Sequence, residues 1–209
     1  MQQEANLFKG SIPPTELIIT NVGRIYHLDL LPEDIGDTII LVGDLERVPV
    51  ISKYFDRIEL KRSKREIVTH TGLLNNKRVS VISTGIGCDN IDIVVNELDA
   101  LVNIDFEKKE VKKEHQSLNI IRIGTCGALQ KEIPVDQFVL STYGIGFDGL
   151  LAFYNPVYEA DEKALQKAFL QQIPWPKDAN QPYFVRGCEI LSEKIGKGMH
   201  HGITATANG

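Results

Sequence analysis

The sequence predicts an α/β fold, in which a mixed β-sheet is covered by helices on both faces as a three-layer α/β/α sandwich. Three observations support this prediction. Short runs rich in Ile and Val end at glycines, amphipathic stretches follow several of them, and two extended segments flank a two-residue turn. Alternating strands and helices are typical of parallel sheets, whereas a two-residue turn joins antiparallel strands. The predicted sheet is therefore mixed.

The first part of the chain leads into a strand and a helix. Residues 1–37 are expected to form an irregular arm, because prolines interrupt them. The apolar, β-branched run "TIILVGD" (38–44) is predicted to be a buried strand. In "LERVPVISKYF" (45–55) the apolar residues follow helical spacing, and Pro49 is tolerated in a first helical turn.

A hairpin and a longer helix are predicted next. "REIVTHTGLL" and "KRVSVIST" flank Asn75 and Asn76, and asparagine tolerates the positive φ of a hairpin turn. "IDIVVNELDALVNI" has the pattern of an amphipathic helix, with Asp89 or Asn90 as its N-cap. The charged stretch "DFEKKEVKKEHQSL" is expected to be a solvated helix end or loop.

The rest of the chain continues the alternation. "IIRIGTCGALQ" (120–130) and "PVDQFVLSTYGI" are predicted to contain strands, and "DEKALQKAFLQQI" a helix. A loop at "QIPWPKDANQP", a short helix at "EILSEKIGKGM" and a final strand at "HHGITATANG" complete the prediction. The absence of a low-complexity linker favours a single domain over residues 1–209.

The composition is typical of a globular protein and argues against nucleic-acid-binding and membrane-spanning proteins. The chain has 209 residues, 43% of them apolar, and a net charge of −5 at pH 7. This apolar content is enough for a packed core, and the acidic balance argues against nucleic acids and anionic membranes as partners. No apolar run approaches the ~20 residues that span a bilayer.

The cysteines and the N-terminus predict a cytoplasmic protein. Cys88, Cys126 and Cys188 are odd in number and widely spaced, which indicates reduced thiols rather than a disulfide framework or a metal site. The polar N-terminal stretch "MQQEANLFKGSIPPTE" does not resemble a signal peptide.

Four predicted strand ends contain glycine and polar residues that could bind an anion: "LVGDLER", "STGIGCDN", "RIGTCGA" and "TATANG". Glycine lets backbone N–H groups approach an anion closely, and ligands bind beyond the carboxyl ends of strands in α/β sheets. Arg47 follows Gly43 by four residues, and Arg122 precedes Gly124 and Thr125 by two and three. Guanidinium, hydroxyl and amide donors together predict a phosphate-sized site.

Each arginine has an alternative interpretation. An arginine after a Gly-Asp turn, such as Arg47, is often a surface residue of a helix. Arg122 is expected to be buried within its apolar strand, and a buried guanidinium needs a partner. That partner is either a bound anion or an internal carboxylate such as Asp136 or Glu97.

Other site templates do not match. "GIGCDN" has Asn90 where a dinucleotide fingerprint needs its third glycine, and no phosphate-binding GxxxxGK[ST] loop is present. His200 and His201 are adjacent rather than four residues apart, so a zinc site is not predicted. Ser83 lacks the context of a nucleophile elbow.

Three stretches together carry a family resemblance: "HLDLLPEDIGDTIILVGDLERV", "REIVTHTGLLNNKRVSVISTGIG" and "IIRIGTCGALQKEIPVDQFVLST". Their order and spacing over roughly residues 26–149 resemble the uridine and purine nucleoside phosphorylases, which have a phosphorylase/hydrolase-like fold. The "STGIG" and "RIGTCGALQ" stretches look most like the uridine branch. "GTCGA" is also similar to the purine branch, so uracil is the favoured base and a purine stays open.

The resemblance implies a reaction and a set of site residues. Phosphate attacks C1′ of a (deoxy)ribonucleoside, and free base and (deoxy)ribose 1-phosphate are formed. By resemblance, His27 binds the ribose 5′-hydroxyl across a subunit interface, and Cys126 and Gly127 line the base pocket. Arg122 and Thr125 would be catalytic. The implied phosphate-binding residues are Gly43, Arg47, Arg122, Thr125 and, reaching a neighbouring subunit's phosphate, Arg65.

The resemblance also implies partners. Inorganic phosphate is a co-substrate, and no metal or other cofactor is expected. The chain is expected to form a homo-oligomer, a dimer at least, with hexamers known in the family. Three of these residues also have a simpler interpretation without a role in the site. His27 would then be an ordinary residue of the arm, Arg65 a solvated surface charge and Cys126 a small buried thiol.

The end of the chain departs from the family pattern. In the family, the stretch that matches "GITATANG" is followed by segments that read the base and the ribose, so this chain is expected to be incomplete at its C-terminus. A truncated, non-catalytic phosphate- or nucleoside-binding protein is therefore an alternative function. A nucleosidase, which uses water in place of phosphate, is disfavoured by the presence of Arg47, Arg65 and Arg122.

Overall fold

A computed structural model describes residues 11–208. The chain divides into two compact units, Met1–Gly124 and Thr125–Gly209. Among the described residues, no helix is both long enough and apolar enough to cross a bilayer.

The first unit is built on a five-stranded mixed sheet. The strand order is β2-β3-β4-β1-β7, with β1 parallel to both β4 and β7, and with antiparallel pairs β2–β3 and β3–β4. The prediction of a mixed sheet is confirmed. The elements in chain order are β1 (Thr38–Val42), α1 (Arg47–Ser52), β2 (Arg57–Lys64), β3 (Ile67–Leu74), β4 (Lys77–Ser83), α2 (Cys88–Asn103), β5 (Ile104–Asp105), β6 (Glu110–Val111) and β7 (Asn119–Ile123).

Helices cover both faces of this sheet. Successive residues of a strand point to opposite faces. Val81 of β4 belongs to the buried cluster that contains Val48 of α1, whereas the next residue, Ile82, belongs to the cluster that contains Leu98 of α2. Layers of helix, sheet and helix are therefore present in the first unit, as the sequence predicted.

The N-terminal arm is irregular, as expected, but it is firmly packed. In its described part, residues 11–37, it contains an isolated antiparallel bridge between Ile19 and Ile25 and a single 3₁₀ turn at Pro32–Asp34. Leu28 and Leu30 are buried and join the larger core cluster together with residues of α2. The arm therefore belongs to the core of the first unit.

Local predictions in the first unit were partly correct. Asn75 and Asn76 have φ angles of 51° and 61° in the β3–β4 turn, which confirms the predicted hairpin. The predicted N-caps of α2 were wrong, because the helix begins at Cys88 with Gly87 at the N-cap position. Strand β2 was not predicted, and part of the charged stretch pairs as the short β5–β6 ladder.

The second unit contains a three-stranded sheet and two helices. The strand order is β10-β8-β9, in which β8 is parallel to β10 and antiparallel to β9. Strand β9 was missed by the sequence analysis, and the others were predicted, although β8 begins several residues later than "PVDQ" suggests. The elements are β8 (Val139–Gly146), α3 (Ala160–Gln172), β9 (Tyr183–Arg186), α4 (Glu189–Ile195) and β10 (His200–Thr206).

A buried carboxylate ties α3 to β9. Glu162 is 7% exposed and accepts hydrogen bonds from the backbone N–H groups of Glu159 and Arg186, each at 2.8 Å. The first bond closes a capping box at the start of α3, and the second fixes the strand to the helix. Burial of this charge is therefore compensated by two backbone donors.

A buried histidine links α1 to the sheet of the first unit. His70 of β3 and Ser52 of α1 are buried, and Nδ1 of His70 lies 2.7 Å from Oγ of Ser52. Burial, with a smaller contribution from the positive charge of Lys61, lowers the pKa of His70 below its ordinary value. Lys61 is the register partner of His70 on β2.

The stability of the fold is expected to depend on pH through His70. The folded protein binds the His70 proton less readily than the unfolded chain does, so the free energy of unfolding should decrease as pH falls below about 6.5. Urea unfolding between pH 8 and pH 5 measures this decrease. His70→Gln should reduce the decrease, whereas His115→Gln, at an exposed histidine of the same unit, should retain it. An identical pH profile for His70→Gln and the unmodified protein would contradict the assignment.

Candidate functional site

Three parallel strands of the first unit end side by side. In the register of the sheet, Val42 of β1 lies between Ser83 of β4 and Ile123 of β7. Gly43 and Gly124 directly follow β1 and β7, and Gly85 follows β4 by two residues. The carboxyl ends of parallel strands are where α/β sheets bind ligands, so this edge is the candidate site.

The guanidinium of Arg122 lies at this edge. A Cβ atom built on Gly43 would stand 3.8 Å from Nη2 of Arg122 and 3.7 Å from the carbonyl oxygen of Gly85. A Cβ built on Gly124 would stand 2.6 Å from Nη1 of the same guanidinium. The charge of Arg122 is thus placed above the glycine ends of two neighbouring strands, as the phosphate-site hypothesis requires.

The expected burial of Arg122 was wrong. β7 pairs only with β1 in its sheet, and the Arg122 side chain is exposed. Glu97, one of the internal partners considered for Arg122, instead lies 2.7 Å from His27. Because the guanidinium is exposed to solvent, no buried counter-charge is needed.

Arg47 is carried to the same edge by the start of a helix. It is the first residue of α1, and its backbone N–H donates to the carbonyl oxygen of Asp44 at 3.1 Å. The tight turn from Gly43 to Arg47 is thereby closed, and the Arg47 side chain is half-buried. The structure brings Gly43, Arg47 and Arg122 to one end of the sheet.

Arg65 lies in a turn rather than at the start of a strand. It has a φ of 55° between β2 and β3 and is exposed. Ser83 holds this turn, because its Oγ donates to the carbonyl oxygen of Glu66 and accepts from the backbone N–H of Val68, each at 2.7 Å. The Arg65 turn therefore lies against the carboxyl end of β4, beside the same edge.

His27 lies in the arm and is held by α2. Its Nδ1 is 2.7 Å from a carboxylate oxygen of Glu97, and its backbone N–H donates to the same carboxylate at 2.9 and 3.0 Å. The ring of Tyr26 packs edge-on against the His27 ring, with centroids 4.9 Å apart. The imidazole is about 29% exposed, so it is anchored yet accessible.

Thr125, Cys126 and Gly127 begin the second unit in irregular, exposed backbone. A Cβ built on Gly127 would meet no described atom within 4 Å. Cys88, Cys126 and Cys188 are all thiols rather than disulfides.

Gly85 was not selected by the sequence analysis. It has a φ of 72°, and a Cβ there would stand 2.8 Å from Nδ2 of Asn90 and 2.9 Å from Cγ of Glu66. The positive φ favours glycine, and a Cβ would also force the side chains of Asn90 and Glu66 to shift. Buried Thr84, the preceding residue, donates through Oγ1 to the carbonyl oxygen of Val42 at 3.3 Å. The "STGIG" stretch could have indicated Gly85, but it was used only for the family resemblance, and its first glycine was given no role.

Residues 37–209 match the model of the Phosphorylase superfamily. The chain belongs to this superfamily. A uridine phosphorylase of Treponema pallidum (strain Nichols) is 37% identical over 132 residues, which cover 63% of this chain and 46% of that protein. A DeoD-type purine nucleoside phosphorylase of Alkaliphilus metalliredigens (strain QYMF) is 36% identical over 116 residues, which cover 55% and 44%. The chain thus spans about half the length of these curated relatives.

One solved structure matches a larger part of this chain than these two relatives do. It is that of a Trypanosoma brucei nucleoside phosphorylase, described as showing uridine phosphorylase activity. The TM-score is 0.80 at 30% identity, and the match covers 92% of this chain and 69% of the other. The α/β fold with a mixed sheet is therefore that of the nucleoside phosphorylases.

The described residues contain no group of three or more His, Cys, Asp and Glu side chains placed to hold a metal ion. His200 and His201, which the sequence places side by side, open β10, and Nε2 of His201 lies 3.2 Å from the carbonyl oxygen of Gly196.

Gly43→Ala is expected to separate anion binding from folding. The new methyl group would be in ordinary van der Waals contact, so the free energy of unfolding should change by less than about 0.5 kcal/mol. The same methyl group would occupy the approach to the strand end, so the phosphate dissociation constant should rise about tenfold or more. Urea unfolding and calorimetric titration with phosphate measure the two effects.

Gly144→Ala is the matched control, because a Cβ there meets no described atom within 4 Å and the residue belongs to β8 rather than to the strands that form the candidate edge. It should change neither stability nor phosphate affinity. Unchanged phosphate affinity in Gly43→Ala would exclude the end of β1 as the anion site.

Proposed function

We propose that this protein is a nucleoside phosphorylase, with uridine as the favoured substrate. The observation that carries the proposal is the guanidinium of Arg122 above Gly43, at an edge where three parallel strands end. Relatives named uridine phosphorylase and purine nucleoside phosphorylase support the reaction class. The uridine phosphorylase activity named for the Trypanosoma brucei structure supports uracil over a purine.

The chemistry suits a cationic edge. As phosphate attacks C1′, a C1′–O bond forms, the glycosidic C1′–N bond breaks, and its electron pair leaves with the base, which takes up a proton. The transition state resembles an oxocarbenium ion. A phosphate dianion beneath the sugar stabilises that cation and also attacks it, and fixed guanidinium groups hold the dianion in place.

Roles for individual residues follow as proposals. Arg122 and Thr125 are proposed to be catalytic, through contact with phosphate, and His27 to bind the ribose 5′-hydroxyl. Cys126 and Gly127 are proposed to contact the base. Phosphate is proposed to bind Gly43, Arg47, Arg65, Arg122 and Thr125, with Arg65 acting at a neighbouring protomer.

A non-catalytic phosphate- or nucleoside-binding protein is the second candidate. The exposed position of Cys126 and Gly127, proposed base contacts, favours it. A nucleosidase is less well supported, because Arg47 and Arg122 lie at the edge where phosphate would bind and Arg65 lies in the adjoining turn.

Further properties are proposed on the same basis. Inorganic phosphate is the co-substrate, and no other cofactor is invoked. The protein is proposed to form a homodimer at least, or a hexamer, to act on small molecules rather than nucleic acids or membranes, and to reside in the cytoplasm. Both units are proposed to form one nucleoside phosphorylase-like domain, which the superfamily match over residues 37–209 supports.

Release of free base from uridine and from inosine, with and without phosphate, tests the function. We expect phosphate-dependent release of uracil. Release of hypoxanthine instead would reassign the base, and release without phosphate would indicate a nucleosidase. Phosphate binding without release of either base would favour the non-catalytic candidate.

Arg122→Ala is expected to abolish phosphate binding, because it removes the guanidinium above the glycine ends. The oligomeric state should not change, as judged by light scattering. Arg57→Ala is the matched control: this exposed arginine of the same unit pairs with Glu59 at 2.6 Å, and a surface ion pair contributes little. Its phosphate affinity, measured by calorimetry, should equal that of the unmodified protein. Retained affinity in Arg122→Ala would contradict the proposed site.

A further inference from the structure

Glu97 is a little-exposed carboxylate that the proposed reaction does not use. It lies on α2 between the core residues Val94 and Leu98, and its side chain is 13% exposed. A carboxylate at such a place needs hydrogen-bond donors, because desolvation disfavours its charge. Two consecutive residues of the arm, His27 and Leu28, supply such donors.

Those donors are arranged around one side chain. The backbone N–H groups of His27 and Leu28 donate to the Glu97 carboxylate at 2.8 to 3.0 Å, and Nδ1 of His27 lies 2.7 Å from Oε1. Leu28 is buried in the core directly after His27. The backbone and the ring of His27 are therefore both fixed by the same carboxylate.

The ring of His27 is held from a second direction. The Tyr26 ring meets it at 88°, and the ammonium group of Lys64 lies 4.1 Å from the centre of the Tyr26 ring and donates to the Tyr26 carbonyl oxygen. Lys64 is the last residue of β2, immediately before Arg65. The two residues proposed to act at a neighbouring protomer, His27 and Arg65, thus share one framework.

This geometry selects one form of the imidazole. A carboxylate accepts hydrogen bonds, so the neutral ring places its hydrogen at Nδ1 and keeps a lone pair at Nε2. A lone pair at Nε2 accepts a hydrogen bond from a hydroxyl group. A methyl group at the same place cannot donate such a bond.

We propose that Glu97 is a positioning residue, which holds His27 as the Nδ1–H tautomer so that Nε2 accepts a hydrogen bond from the 5′-hydroxyl of the nucleoside. The inference rests on the proposed function for the identity of the hydroxyl. The orientation and tautomer of His27 follow from its contacts with Glu97 and Tyr26 and do not depend on that function.

Asp34 provides a matched control for Glu97. Its carboxylate has a similar exposure, 14%, and also holds the arm, by accepting from the backbone N–H of Leu31 at 2.9 Å and from Arg24 at 3.4 Å. Loss of Asp34 loosens the arm without removing the acceptor at His27. A general effect of arm anchoring would therefore be the same in Asp34→Asn as in the Glu97 variants.

The tautomer is measured first, by long-range ¹H–¹⁵N correlation spectra of the full chain at pH 8, with His27→Asn used to assign the signals. We expect the Nδ1–H form in the unmodified protein, in Asp34→Asn and in Glu97→Gln, which keeps an amide oxygen as acceptor. Glu97→Ala should gain the Nε2–H form. An Nε2–H tautomer in the unmodified protein, or no change in Glu97→Ala, would overturn the proposal.

The second measurement compares kcat/KM for uridine and 5′-deoxyuridine. The hydrogen bond from the 5′-hydroxyl to Nε2 of His27 should raise kcat/KM for uridine about tenfold over that for 5′-deoxyuridine. We expect this ratio in the unmodified protein and in Asp34→Asn. In Glu97→Ala the ratio should approach one, mainly through a higher KM for uridine, with partial recovery in Glu97→Gln. An unaltered ratio in Glu97→Ala would overturn the proposal. If the unmodified protein cleaves neither nucleoside, the proposed function fails, and the tautomer measurement alone decides the role of Glu97.

Discussion

Parallel pairing of β1 with both β4 and β7 is the constraint on which the candidate site depends. Since all three strands run in one direction, their carboxyl ends reach a common edge, and residues distant in the sequence become neighbours there. Gly43, Gly85 and Arg122 meet for this reason, across about 80 residues of chain. The antiparallel β2–β3 turn adds Arg65 to the same neighbourhood, because β3 begins where β4 ends.

Charged side chains of the first unit are stabilised in two different ways. The side chain of Arg122 is exposed and keeps its hydration, whereas Glu97 is little exposed and receives backbone donors. An exposed guanidinium is accessible to an incoming anion. The exposed positive charge of Arg122 and the fixed carboxylate of Glu97 thus serve different purposes, ligand attraction and positioning of the arm.

Elements with a strong local signal were predicted well. The apolar run of β1, the Asn75–Asn76 turn and the amphipathic pattern of α2 each reflect local sterics or periodicity, which act within a few residues. β2 was missed, because its residues alternate between exposed and half-buried and carry many charges, as suits the edge of a sheet. β9 was missed, because only four residues pair with β8 and its partner lies about 40 residues away.

The sequence by itself determined the superfamily, the mixed α/β class and the residue types of an anion site, because glycine turns, hydrophobic periodicity and arginine placement are local properties of the chain. The tertiary structure alone decided that Arg122 is exposed, that Gly85 faces Gly43, and that Glu97 binds His27 rather than Arg122. These facts depend on strand order and on the packing of the arm against α2. Both arise from contacts between residues far apart in the chain, and no local pattern encodes them.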